Sequence, residues 1–135
     1  VSRNIKSAIL WYQRASRNGE DADAQYALGR LYAAGIGVGN DVIQSSDWYQ
    51  RAALGGNPAA QYMVGRMHET GWGVRADPIK AYMWYLLANK HRERAISIDP
   101  KNDPQEALRQ LDSILNNSQR SAAVKMAARW PDIPR

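Results

Sequence analysis

Few side chains in this 135-residue chain have the type and spacing for chemistry. Cysteine is absent, which removes disulfides and thiolate ligands or nucleophiles and leaves the redox compartment undecided. The two histidines, His68 and His91, have no second His or Cys at metal-ligand spacing, and Glu69 alone cannot complete a site. Serines are plentiful, yet none sits in a nucleophile-elbow motif or beside a recognisable base. Asp21 and Asp23 are paired carboxylates at an expected helix start, where negative charge complements the helix dipole. The glycines of Gly35-Ile36-Gly37-Val38-Gly39 have the look of a phosphate loop, but position 40 is Asn and no strand pattern precedes them. The pattern returns as Gly71-Trp72-Gly73-Val74-Arg75, so an inter-helix turn is expected instead. No catalytic residue, metal site or cofactor is expected; the chain reads as a non-enzyme.

What remains is recognition chemistry, and a repeat positions it. Residues 24–41 read AQYALGRLYAAGIGVGND and residues 60–77 read AQYMVGRMHETGWGVRAD, a spacing of 36. A second block, Trp48-Tyr49 with Ala52, recurs 36 later as Trp84-Tyr85 with Ala88, and an earlier copy is Trp11-Tyr12 with Ala15. Periods of this size mark stacked supersecondary units, which offer a surface more often than a chemical centre.

Each unit reads as two helices. Ala24, Leu28, Leu31 and Tyr32 fall at helical spacing on one apolar stripe, and Ala60, Val64 and Met67 repeat it. Trp48 with Ala52 and Ala53, or Trp84 with Leu87 and Ala88, sets a large ring against small neighbours, and both Trp are expected to be largely buried. Asn57-Pro58, Asp77-Pro78 and Asp103-Pro104 place an N-capping side chain before a proline, and Glu106 would complete a capping box with Asp103. Gly19, Gly35, Gly55 and Gly71 stand where helices should stop in a left-handed residue. The pattern predicts helices near 5–18, 22–34, 42–54, 58–70, 78–95, 104–116 and 118–130, with 96–103 as a linker.

The run Ala-Gln-Tyr-x-x-Gly-x-x-(Tyr/His)-x-x-Gly-x-Gly-Val-x-x-Asp, then Trp-Tyr-x-x-Ala, resembles the Sel-one-like repeat (SLR) family, relatives of tetratricopeptide repeats. The likeness covers about residues 1–90 as half a repeat, a full repeat and most of a second. It implies an all-α fold, a right-handed α–α superhelix that is a solenoid of helical hairpins. It further implies an adaptor, often in bacterial envelope, secretion or signalling assemblies. The pattern fails after Ala88: Arg92 stands where a helix-ending glycine is due, and Ile96-Ser97-Ile98 replaces Ala-Gln-Tyr. The domain reading is therefore repeats over 1–95 and a C-terminal helical cap over 96–135. The cap's two amphipathic helices carry Ala107, Leu108, Leu111, Ile114 and Leu115, then Ala122, Ala123, Met126, Ala127 and Trp130.

On the helical wheel Asp23, Ala27, Arg30 and Ala34 fall together beside the buried stripe, and their copies are Ala59, Met63, Arg66 and Thr70. Arg30 and Arg66 would form a ladder on the helices that line the inner curve of tetratricopeptide-like solenoids. Arginine grips carboxylates bidentately and suits an acidic peptide; the alternative is that both are solvated positions tied to nearby acids. Trp72 stands on a loop where the first repeat has Ile36, either as a binding anchor or packed on the neighbouring loop. His68 takes the position of Tyr32 and is expected to fill the same partly buried slot. The candidate partner-binding residues are Asp23, Arg30, Met63, Arg66, Thr70 and Trp72.

Hydrophobic content is 44%, ordinary for a soluble protein, and no stretch approaches the roughly 20 apolar residues that cross a bilayer. The net charge of +5 is uneven: residues 1–70 carry 7 basic and 6 acidic side chains, residues 71–135 carry 11 and 7. A partner with an acidic surface suits the second half. Basic residues alternate with acids, as in Lys90-His91-Arg92-Glu93-Arg94, so nucleic acid is not the expected partner; it would show as affinity falling steeply with salt. Val1 lies 37 before Val38, in mid-repeat, so a segment of a longer protein is expected. The expected function is a protein or peptide scaffold binding on the concave face, with a regulatory or substrate-positioning module of a larger enzyme as the alternative. A periplasmic or otherwise exported bacterial location is preferred over a cytoplasmic one.

Overall fold

A computed structural model describes residues 7, 9–14, 21–35 and 41–131. Residues 9–14 are helical, within the first predicted helix; the rest of that helix, Gly19 and positions 36–40 lie outside the described residues. Seven helices follow: α1 (Ala22–Ala34), α2 (Val42–Leu54), α3 (Pro58–Thr70), α4 (Pro78–Asn89), α5 (Arg92–Ile98), α6 (Pro104–Asp112) and α7 (Asn117–Ala128). No strand occurs among the described residues.

Local capping starts the helices where the sequence places them. Asp21 accepts from the amides of Asp23 and Ala24, Asn57 from Ala60, Asp77 from Ile79 and Lys80, and Asp103 from Gln105. The capping box at Asp103 does not form, because Arg109 draws Glu106 away at 2.7 Å. A complete box stands instead at Asn116 and Gln119. Gly71 ends α3 in the left-handed region at φ 77. Gly55 does not do the same for α2: its φ is −77, and the left-handed residue is Gly56.

The hairpins α1–α2 and α3–α4 are antiparallel, and one device sets both. A Cβ on Gly29 would stand 2.6 Å from Tyr49 Cδ1, and one on Gly65 would stand 2.7 Å from Tyr85 Cδ1. Each tyrosine therefore lies directly on the bare backbone of the preceding helix, and both rings are buried. The Ser45 hydroxyl donates to the Gly29 carbonyl at 2.6 Å and tightens the first hairpin. Gly73 joins neighbouring hairpins: its loop closes on Ser46 of α2, where a Cβ would come within 2.8 Å. That approach, with φ 73, explains the second glycine of the Gly-x-Gly motif.

The two repeat tryptophans are not equivalent. Trp84 is 6% exposed and meets Trp130 edge to face at 6.1 Å. Trp48 is only half buried, beside the small cluster of Ile9, Leu28 and Tyr32, with the Arg51 guanidinium 4.8 Å over its ring.

The third hairpin departs most from expectation. The predicted helix over 78–95 breaks at Lys90-His91, whose amides close onto Leu87 and Ala88. The chain then turns into α5, inside the predicted linker, and crosses to α3 and α1. Two ion pairs hold it there: Arg92 grips Asp103 with two bonds of 2.8 Å, and Arg94 reaches Asp23 at 3.1 Å. Helix α6 stops at Asp112 rather than 116, so Ile114 falls in a turn and is 68% exposed, off the expected stripe. Ala122 is likewise exposed. Helices α6 and α7 both pack on α4, through Leu108, Leu111, Ala123 and Ala127. The Tyr82 hydroxyl donates to Asp112 at 2.7 Å across the α4–α6 contact.

Candidate partner-binding face

Helices α1 and α3 are the first helices of successive hairpins, and α6 follows in the third position along the same face. Two furrows run between them. The first, about 290 Å³, lies between α1 and α3 and is lined by Ala33, Met63, Arg66, Met67, Thr70 and Trp72. The second, about 490 Å³, lies between α3 and α6, with Arg66, Glu69, Thr70, Lys101 and Gln110 on its walls and Tyr62 and Tyr85 on its floor. Arg66 and Thr70, one helical turn apart, form the ridge that separates the two.

Four of the six candidate residues, Met63, Arg66, Thr70 and Trp72, surround the first furrow. Asp23 is elsewhere, its carboxylate 2.9 Å from Asn57 Nδ2 and 3.1 Å from Arg94. Arg30 is exposed with its guanidinium 5.9 Å from the Tyr26 ring, and lines neither furrow. Trp72 is half buried against the main core. The Thr70 hydroxyl donates to the Arg66 carbonyl at 2.9 Å. Met63 is touched from the far side by Asn102 Nδ2, 3.7 Å from its sulfur. The α5–α6 connection thus lies against Met63, and its Lys101 and Asp103 form part of the second furrow.

Charge in the second furrow is more even than its acidic side chains imply. Asp103 is held below the ordinary carboxylate range by its Arg92 bonds, against a smaller opposing effect of burial. Glu106 is paired with Arg109. Glu69 accepts a 2.6 Å bond from the Tyr85 hydroxyl, whose pKa burial and that bond push up. Arg66 and Lys101 have no carboxylate within ion-pair distance among the described residues. Lys101, Glu69, Tyr85 and Gln110 were outside the sequence-based candidates. The period ends before α6, so nothing in the repeat marks Lys101 or Gln110 as neighbours of α3.

At the loop end of α3, His68 is half buried in a depression of about 390 Å³ with Arg75, Asp77 and Lys80. Burial lowers its pKa, partly offset by a hydrogen bond to the Arg75 backbone. Among the described residues no group of three or more His, Asp or Glu is arranged to hold a metal ion. No helix there is long and apolar enough to cross a membrane.

Stacked antiparallel hairpins with Tyr-on-Gly contacts repeated at a fixed period define an α-solenoid. The Sel1 repeat model matches residues 1–20, 22–57 and 58–91, and the chain belongs to the Sel1 repeat family. Sel1 repeats generally mediate protein–protein interaction, and the family is generally non-catalytic. Among solved structures the chain is similar to c5321, a protective antigen of uropathogenic Escherichia coli with an SLR fold. The TM-score is 0.79 at 27% identity, over 94% of this chain and 26% of that one. It is also similar to a Sel1 repeat protein from Oxalobacter formigenes, with a TM-score of 0.57 at 42% identity over 66% of this chain and 70% of that one. Chitin synthase regulatory factor 3 of Schizosaccharomyces pombe is 41% identical over 58 residues, which are 43% of this chain and 6% of that protein.

Proposed function

We propose that this chain is a non-catalytic scaffold that binds a protein or peptide on the face formed by α1, α3 and α6, with residues 96–135 as its cap. The observation that carries the reading is the pair of furrows meeting at Arg66, an exposed cation without a carboxylate partner among the described residues. Such a face has depth for side chains and polar groups left to pair, which a solvated helix row lacks. We place it in a bacterial envelope, secretion or signalling assembly, a reading favoured only by its likeness to a protective antigen of uropathogenic Escherichia coli. The test is selection of binders from a displayed random-peptide library on the whole chain, followed by titration of the winners into isotope-labelled protein. Backbone shifts should cluster on α1, α3 and α6. Shifts confined to α2 and α4 overturn the assignment.

The match to a chitin synthase regulatory factor favours a second reading, a module that regulates an enzyme held elsewhere. Under that reading the bound peptide belongs to an enzyme, and occupying the face changes its kcat.

A further inference from the structure

Resting on that reading of the face, the geometry points to a specific kind of ligand: an extended peptide with a large apolar side chain and, about three residues on, a carboxylate. Three observations carry it. The first furrow is walled mainly by Ala33, Met63, Met67 and Trp72, and its 290 Å³ suits one large side chain. A whole helix, about 10 Å across, is too wide to enter it. The second furrow holds Arg66 and Lys101, while its carboxylates are already engaged: Asp103 by Arg92, Glu106 by Arg109, and one oxygen of Glu69 by Tyr85. A negative charge placed there meets two cations that no carboxylate pairs among the described residues, Arg66 being held by the Tyr62 hydroxyl. Finally, the furrows are successive gaps along one row of helices. Packed helices lie about 10 Å apart, and an extended chain in the polyproline II conformation advances about 3.1 Å per residue with about three residues per turn, so side chains about three apart point the same way and reach both furrows. The residues between them cross the ridge beside Thr70. The apolar anchor supplies burial, and the carboxylate sets register and direction.

This is narrower than a ladder of two arginines. Arg30 lines neither furrow, and Lys101 takes the place of a second cation.

The experiment uses the whole chain and a displayed library of random peptides about ten residues long, enough to span both furrows at about 3.1 Å per residue. Selection should yield an apolar residue followed about three positions later by Asp or Glu. The same selection is repeated on the Arg66→Glu/Lys101→Glu protein, with its fold checked by circular dichroism. The acid should give way to Lys or Arg at the same position, and the original binders should weaken by about tenfold or more. Trp72→Ile, which installs the residue type of the first repeat, should weaken the same binders and leave their charge preference unchanged. Binders that need Arg66 but show no fixed apolar-to-acid spacing overturn this inference and leave the face as the binding site. A preference that does not invert on charge reversal also overturns it. Binders indifferent both to Arg66→Glu/Lys101→Glu and to Trp72→Ile overturn this inference and the binding face together.

Discussion

Gly65→Ala tests whether a ring seated on bare backbone sets the hairpin. The added methyl would stand 2.7 Å from both Cδ1 and Cε1 of Tyr85 and 3.2 Å from the Ala81 carbonyl oxygen. Carbon atoms in contact settle at about 3.5–4.0 Å, so ring and helix must part by about 1 Å. Tyr85 is 1% exposed and its hydroxyl is held by Glu69 at 2.6 Å, which leaves the ring no free side to move toward. Overpacking of this kind costs about 1–3 kcal/mol. Replacing glycine in a helix interior works the other way, by about 1 kcal/mol. The net expectation is a loss of about 1 kcal/mol, at most about 2, or a Tm lower by roughly 3–8 °C. Thermal and urea denaturation followed by circular dichroism measure it. In a Tyr85→Ala background the methyl has room, and the same substitution should stabilise by up to about 1 kcal/mol. A Gly65→Ala that stabilises the wild type, or one with equal effect in both backgrounds, refutes the reasoning.

Trp84→Ala should cost about 3–5 kcal/mol and Trp48→Ala clearly less, since only Trp84 is enclosed; equal losses in urea titrations would contradict the difference in burial. His68 carries a depressed pKa, so the unfolded chain takes up the proton first. Its stability contribution is complete above the ordinary value of about 6.5 and is lost as pH falls below it toward the lower folded value. Tm of the wild type should therefore fall more steeply than that of His68→Gln between about pH 7.5 and about pH 5, and parallel curves would exclude the effect. Deleting residues 104–135 should expose Trp84, Leu87 and Ala88, giving aggregation or loss of cooperative melting. A soluble fragment with an unchanged transition would show α6 and α7 to be appendages.

The helix starts were legible because their causes are local: an Asp or Asn before a proline caps within three residues. The break at Lys90-His91 was not, because α5 is held by Asp103 and Asp23, one of them 71 positions away from Arg94. The capping box at Asp103 failed for a related reason, since Arg109 competes for Glu106. The recurrence of Gly29 with Gly65 and of Tyr49 with Tyr85 was plain, but its reason, a ring lying on a glycine, exists only in three dimensions. Around the furrows, Met63, Arg66 and Thr70 follow from one helix face. Lys101 and Gln110 belong to a segment with no periodic counterpart, and only the fold brings them to α3.

The tie from Arg94 to Asp23 gives this stack an unusual mechanical character. In a plain solenoid each unit touches only its neighbours, so the molecule behaves as a coil spring whose pitch drifts turn by turn. Here α5 returns from beyond the second repeat and hooks the start of the first, where Asn57 shares the same carboxylate. The hook's side chains are 56% and 67% exposed, so salt screens it and it adds little to stability. What it does is shorten the free length of the spring. It ties α5 to the start of α1 through a contact that ionic strength can loosen.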